Sequence, residues 1–322
     1  MNQLPALVTL QTPTMIAATG PQARTRFLEF FVNMIRNENT RRAYSRAVAE
    51  FLTWCEQQGI ASITDIQPLH VGTYIEMQTR DPKISAPAIK LRLAAIRRLF
   101  DWLVTGNVGL IVNPAASVRG PSHVVRVGRT PVLDPAEARH LLDKIDITTP
   151  IGLRDRALLG LMVYSFARIG AAVAMKVEDV FTQNRRLWVR LHEKGGKLHA
   201  MPCHHNLEAY LHAYIDGCGL ASDAKGPLFR TVGRRSGGQL TKTRLPADSA
   251  YQMVGRRRAA AGIETKIGNH TFRATGITAY LKNGGTLEKA AAMANHASTR
   301  TTQLYDRRRD EMSLDEIERV VI

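Results

Sequence analysis

Tyr305 lies near the end of this chain behind a set of cationic and imidazole side chains: Arg168, Lys194, His270, Arg273 and His296. Together they are what a metal-free attack on a phosphodiester would need. A phenol has a pKa of about 10, so roughly one in a thousand is ionised at neutral pH, and it needs a base or cationic neighbours to act. Charge growing on two non-bridging oxygens must be stabilised, and the departing 5′ oxygen must receive a proton. Metal enzymes handle that charge with cations, but no Asp/Glu/His grouping in the sequence is spaced to hold a metal pair. Arg168, Arg273 and the two histidines offer fixed donors instead. His270 is the candidate base and Lys194 the candidate acid. The expectation is chemistry with no metal and no cofactor.

The local patterns say which elements must carry these groups. His270 and Arg273 are three apart at the start of a helix that continues through Thr275 to Leu281 and stops at Asn283-Gly284-Gly285, so both project from one face. A helix N-terminus also presents free N–H groups and a positive dipole to a phosphate. Thr286 is the expected cap of the next helix, which closes near Asn295 and delivers His296 just past its end; Ser298 can cap a short helix carrying Tyr305. Arg168 follows an apolar helix predicted over Asp155–Ala167. Residues 186–202 change period: Leu187, Val189 and Leu191 alternate with Trp188, Arg190 and His192, predicting a β-hairpin whose turn, Glu193–Lys197, carries Lys194. Taken singly, each residue has a plainer reading: a helix cap, a core histidine, a packed tyrosine. Their order and combination favour the chemistry.

A chain of 322 residues suits two domains, each with its own core. Lys and Arg outnumber Asp and Glu by 44 to 28, a net charge of +16, which points to a polyanionic partner, nucleic acid before anionic membrane. No run of about 18 apolar residues exists, and the uncharged first twenty residues lack the basic start of a secretory signal. The expected setting is cytoplasmic, at the nucleoid, without membrane attachment. Cys55, Cys203 and Cys218 are far apart and odd in number, so reduced thiols are expected.

Residues 1–22, with Pro5, Pro13 and Pro21, read as a flexible N-terminal segment. Residues 23–117 read as a four-helix domain. Phe27, Phe30, Phe31 and Met34 form the first apolar face; Asn39 can cap a second helix lined by Tyr44, Val48, Phe51, Leu52 and Cys55; a third runs from Pro68 to Gln78; a fourth follows Ser85 with Ile89, Leu93, Ile96, Phe100 and Leu103 inward. A basic linker spans 118–130. The second domain, 131–309, opens with Asp134 as cap, Pro135 at the first turn and Glu137 completing a capping box. Candidate phosphate contacts are Arg41, Arg42 and Arg46 on the second helix, Lys90, Arg97 and Arg98 on the fourth, and Lys242, Arg244, Arg256, Arg257 and Arg258 later. Arginines of the fourth helix could reach base edges in the major groove.

These residues resemble the tyrosine recombinase family, the integrase and Xer-type enzymes, over most of the chain. In that family the first arginine follows a Thr-Gly-Leu-Arg-like string, here Ser165-Phe166-Ala167-Arg168. The lysine lies in a Gly-Lys-Gly-Asn-Lys-like turn, here Glu193-Lys194-Gly195-Gly196-Lys197. The His-x-x-Arg pair corresponds to His270 and Arg273, the next histidine to His296 and the nucleophile to Tyr305. The resemblance implies a mainly α fold with a small β-hairpin or sheet. A helical, SAM-like core-binding domain would precede a mixed α/β catalytic domain, the two forming a C-shaped clamp on duplex DNA. Two positions depart from the pattern. An acidic residue commonly stands three after the first arginine, where this chain has Ala171, so support for Arg168 must come from elsewhere. The glycine before the lysine is Glu193, a negative charge beside the proposed acid, which makes Lys197 the reserve for Lys194.

The expected function is site-specific recombination through a 3′-phosphotyrosyl intermediate, without ATP, as integrase of a mobile element or Xer-like resolvase. The alternatives are a type IB topoisomerase-like enzyme and a non-catalytic DNA-binding regulator. After Arg307, Arg308 and Arg309, the segment 310–322 carries Leu314, Ile317 and Val321 on one side. By the same resemblance it would be a tail exchanged between protomers, linking a homotetramer on synapsed sites.

Overall fold

The computed structural model describes residues 12–124, 128–193, 196–233 and 237–306. The chain divides into two compact units, Met1–Val124 and Val125–Ile322.

The first unit is helical. Helix α1 covers Thr14–Ala18 and α2 Pro21–Glu29, followed by a wider π turn at Phe30–Met34. Residues 14–22 therefore correct the reading of a loose lead-in. Met15 and Ile16 are buried at 1% and 0% exposure, and it is this burial, invisible in a short proline-punctuated stretch, that holds the first turn. Phe27, Phe30 and Phe31 are buried as the pattern predicts, while Met34 is exposed. Helix α3, Glu38–Gln57, is capped by Asn37, whose side chain accepts from the Thr40 N–H at 3.1 Å, and not by Asn39. The earlier start places Glu38 in the first turn, where the helix dipole favours it. Helices α4 (Pro68–Arg80) and α5 (Ala86–Thr105) complete the unit, and the five residues expected to face inward from α5 are all buried.

The second unit opens with α6 (Pro135–Asp143), where Asp134 and Glu137 form the expected reciprocal capping box. Helix α7 runs over Pro150–Tyr164, not 155–167. Thr149 caps it through the Gly152 N–H at 3.1 Å. Leu158, Leu159, Leu161 and Met162 are all fully buried, so the helix has no polar face and its sequence carries little periodic signal for its ends. Helix α8, Ile169–Ala174, begins directly after Arg168.

Strands β1 (Val180–Gln183), β2 (Arg186–His192) and β3 (Leu198–Pro202) form an antiparallel sheet in that order. Its register pairs Val180 with Val189 and His192 with Leu198. The predicted hairpin is β2–β3, and Leu187, Val189 and Leu191 are its buried face. A second two-stranded ribbon pairs β4 (Arg230–Val232) with β5 (Leu240–Arg244); β4 has only three residues, and β1 and β5 do not alternate in burial. Helices α9 (His205–Gly217), α10 (Ala247–Ala260), α11 (Asn269–Lys282), α12 (Leu287–Met293) and α13 (Thr299–Gln303) complete the unit. Asp155 on α7 accepts from Arg154 beside it and from Arg257 on α10, tying those helices together at under 5% exposure for the Arg154–Asp155 pair. Among the described residues, no helix is long and apolar enough to cross a membrane.

Helices α7 and α11 approach closely where Gly276 faces the end of α7. A Cβ there would collide with the Val163 carbonyl oxygen and the Phe166 ring. Gly276→Ala should therefore lower stability by about 1–3 kcal/mol, measured as a lower urea midpoint. An unchanged midpoint would show that this contact is looser than described.

Candidate active site

Helix α11 carries two of the predicted residues and braces a third. His270 stands exposed in its first turn, and Arg273, one turn on, is buried at 1% exposure. One Arg273 nitrogen, Nη1, donates to the Phe166 carbonyl; the other, Nη2, donates to the Ala294 carbonyl and to His296 Nε2, both at 2.6 Å. Further along α11, the Thr278 hydroxyl donates to the Tyr305 carbonyl at 2.9 Å.

The Phe166 carbonyl is available because Phe166 adopts a left-handed conformation, φ 54°, between α7 and Arg168. A buried aromatic in that region costs of order 1–3 kcal/mol. Packing of the ring with Ile277, Leu281, Ala290 and Ala294 offsets it, and the Tyr305 ring lies against the same cluster. The left-handed turn also ends the preceding helix and sends the chain back to Arg168.

His296 arrives by the predicted route. Asn295, at φ 46°, closes α12, and the His296 N–H donates back to the Ala291 carbonyl at 2.9 Å. Its ring has one possible tautomer with these partners. Guanidinium only donates, so Nε2 accepts from Arg273 and Nδ1–H donates to Thr302 Oγ1 at 2.8 Å. The histidine thus faces Arg273 as an acceptor here, whereas the sequence suggested a donor. The Tyr305 ring stacks on it, 5.9 Å between centroids and 10° between planes.

Arg168 precedes α8 and donates from Nη1 to Glu193 Oε2 at 2.9 Å, with 38% of its side chain open to solvent. Burial first, then the charge of Arg168, lowers the pKa of Arg273 from 12.5 to about 10; charge on Tyr305 and Glu193 and a side-chain hydrogen bond with Tyr305 oppose this. Arg273 therefore stays cationic at neutral pH. Desolvation, then Arg273 and Arg168, pushes His296 down to about 4 and lowers His270 in the same direction. Both imidazoles are neutral at pH 7, which His270 requires if it is to accept a proton.

Arg168, Arg273, His296 and Tyr305 thus converge, and His270 lies within the electrostatic reach of both arginines. Lys194 lies outside the described residues. Lys197 is exposed past the turn, where its carbonyl accepts from the Glu193 N–H at 2.8 Å. No local signal singled out Thr278, and Phe166 was visible only as part of the string leading to Arg168. Thr302 was visible only as part of the string leading to Tyr305, and Glu193 only as a departure from pattern.

Residues 131–312 match the phage integrase family, and residues 25–107 match the phage integrase N-terminal SAM-like domain. This chain belongs to the phage integrase family. It is a tyrosine recombinase, of an enzyme class that breaks and rejoins DNA. It is 26% identical over 263 residues to the tyrosine recombinase XerC of Shigella flexneri serotype 5b, covering 81% of this chain and 83% of that protein. In fold it is similar to the XerH recombinase in a post-cleavage complex with its difH substrate, with a TM-score of 0.70 and 16% identity over 96% of this chain and 97% of that one. A lambda integrase tetramer bound to a Holliday junction gives a TM-score of 0.65 and 17% identity over 90% of this chain and 79% of that one.

The basic side chains of this recombinase divide by their partners. Lys90, Arg98, Lys242, Arg244 and Arg256 are exposed. Arg42 and Arg46 are exposed and pair along α3 with Glu38 and Glu50, contacts worth a few tenths of a kcal/mol that a phosphate can replace. Arg41 and Arg97 are committed to backbone. Arg41 donates twice to the Ile35 carbonyl, and Arg97 donates to the carbonyls of Ala115 and Val118, holding the start of the linker to α5. Arg257, grouped by sequence with the phosphate contacts, is instead the partner of buried Asp155.

A histidine whose folded pKa lies below its unfolded value makes the unfolded state bind more protons between those values, so stability falls as pH drops through that window. For His296 the window runs from about 6.5 down to about 4, and His270 acts with the same sign. Urea midpoints should therefore fall between pH 6.5 and pH 4, and His296→Asn should flatten part of the slope. A slope identical in that variant would contradict the placement of His296.

Proposed function

We propose that this protein is a site-specific recombinase in which Tyr305 attacks a phosphorus of duplex DNA. The phenolic oxygen forms a bond to phosphorus, the bond from phosphorus to the 5′ oxygen breaks, and the products are a 3′-phosphotyrosine and a free 5′ hydroxyl. His270 takes the phenolic proton. Arg168 and Arg273 hold the non-bridging oxygens, with His296 fixing the Arg273 head, and Lys194 gives the leaving oxygen its proton. Attack by a 5′ hydroxyl from a partner strand reverses the step and releases the tyrosine. One phosphodiester is exchanged for another of similar energy, so no nucleotide cofactor is needed. The observation that carries this reading is the convergence on Arg273, which contacts both His296 and Tyr305 and feels the charge of Arg168.

Fixed donors in a dry site act on developing charge more strongly than water does, typically about 10²–10³-fold in rate per donor. Arg273 fits that role because its geometry is set before any phosphate arrives. The exposed cations Arg42, Arg46, Lys90, Arg98, Lys242, Arg244 and Arg256 would contact the backbone of the duplex, with Arg41 and Arg97 acting mainly through the shape of the first domain. Four copies would act on two synapsed sites in the cytoplasm, at the nucleoid, as the lambda integrase tetramer sits on a Holliday junction. Residues 310–322, which lie outside the described residues, would link neighbouring protomers. Integration of a mobile element is the reading favoured over resolution of chromosome dimers.

A nicked suicide duplex tests the chemistry. Wild-type protein should become covalently attached at a 3′ phosphate, with or without chelator, and Tyr305→Phe should not. Attachment by the substituted protein would remove Tyr305 from the role. Deleting residues 311–322 should weaken synapsis, read as loss of the two-duplex complex on a native gel, more than it slows attachment. A truncated protein that assembles and recombines normally would refute the linking role.

A further inference from the structure

The Glu193 carboxylate sits at the mouth of the β2–β3 turn with 5% of its side chain exposed, 2.9 Å from an Arg168 nitrogen. Its backbone N–H closes the turn onto the Lys197 carbonyl at 2.8 Å. Ala171, three residues past Arg168, is buried in the core and brings no charge to that arginine. We infer that Glu193 is the positioning residue for Arg168, holding the guanidinium at the angle from which it meets the phosphate, in the catalytic role proposed above.

Two physical arguments support this. A free arginine side chain samples many rotamers, and a fixed acceptor removes that freedom before substrate binds. The second concerns like charge. The charge of Arg168 disfavours the charged state of Arg273, and the Glu193 carboxylate favours it as well as pairing with Arg168. It thus offsets the like charge of the two guanidiniums in the absence of a phosphate. Its carboxylate is nearly hidden, whereas 38% of the Arg168 side chain is open, so the pair leaves one face of the arginine for an incoming oxygen.

The test uses full-length protein on the nicked suicide duplex under single-turnover conditions. Wild type must attach and Tyr305→Phe must not; failure of either control overturns the proposed reaction, and this inference with it. Given those controls, Glu193→Gln should lower the attachment rate at saturating DNA on the order of 10–100-fold, with DNA affinity and melting temperature near wild type. Glu193→Asp should recover part of that loss. In an Arg168→Lys background, Glu193→Gln should cost little more, since its effect runs through Arg168, whereas an independent structural effect would add. Full additivity, a wild-type rate in Glu193→Gln, or a faster one showing that Glu193 restrains Arg168, would each overturn the inference. A drop in melting temperature that accounts for the lost rate would do so too, and Glu193→Asp, which keeps the charge, separates that case.

Discussion

A guanidinium with 1% of its surface exposed must spend its N–H groups on protein acceptors, and the acceptors of Arg273 come from two places far apart in the chain. The Phe166 carbonyl lies before α8 and the Ala294 carbonyl at the end of α12, with His296 beside it. One side chain therefore joins the loop that carries Arg168, the helix that carries His270, and the turn that carries His296. If Arg273 were elsewhere, these segments would have no common polar anchor, and the strained Phe166 backbone would lose its partner.

Gathering so much positive charge raises a problem of its own. Arg168 pushes down the affinity of Arg273 for its proton, and the two guanidiniums push both imidazoles towards neutrality. Histidine answers by losing its proton, which leaves His296 able to accept from Arg273 and His270 able to act as a base. Arginine cannot answer that way at neutral pH, since even about 10 leaves Arg273 protonated. The relief comes from Tyr305 and from the Glu193 carboxylate, which also pairs with Arg168. The polar groups around Tyr305 thus form a balanced set, with a fixed tautomer at His296 and a defined donor direction at Arg273.

The parts of the fold that were legible were those whose signals are local. The capping box at Asp134 and Glu137, the inward face of α5, the alternation along β2 and the caps at Thr286 and Ser298 each depend on residues within a few positions of one another. Signals failed where burial decides. Helix α7 has no polar face to mark its ends, α1 exists because Met15 and Ile16 find a core, β4 has only three residues, and β1 and β5 do not alternate in burial. Arg257 and Arg97 looked like solvent-facing cations because a sequence shows charge but not the partner that takes it.

The amino-acid order by itself determined the chemical inventory: a phenol, guanidiniums and imidazoles in a particular succession, with helix starts and stops that bring His270 and Arg273 to one face and His296 just past a helix end. Only the tertiary structure decided how those groups address one another. Which nitrogen of His296 holds its proton, which carbonyls fix Arg273, and that Glu193 serves Arg168 all depend on contacts between segments more than twenty residues apart. The physical reason is range. Backbone propensity and capping act over one helical turn, whereas hydrogen-bond partners and electrostatic fields act through space, between neighbours that the chain chooses only on folding.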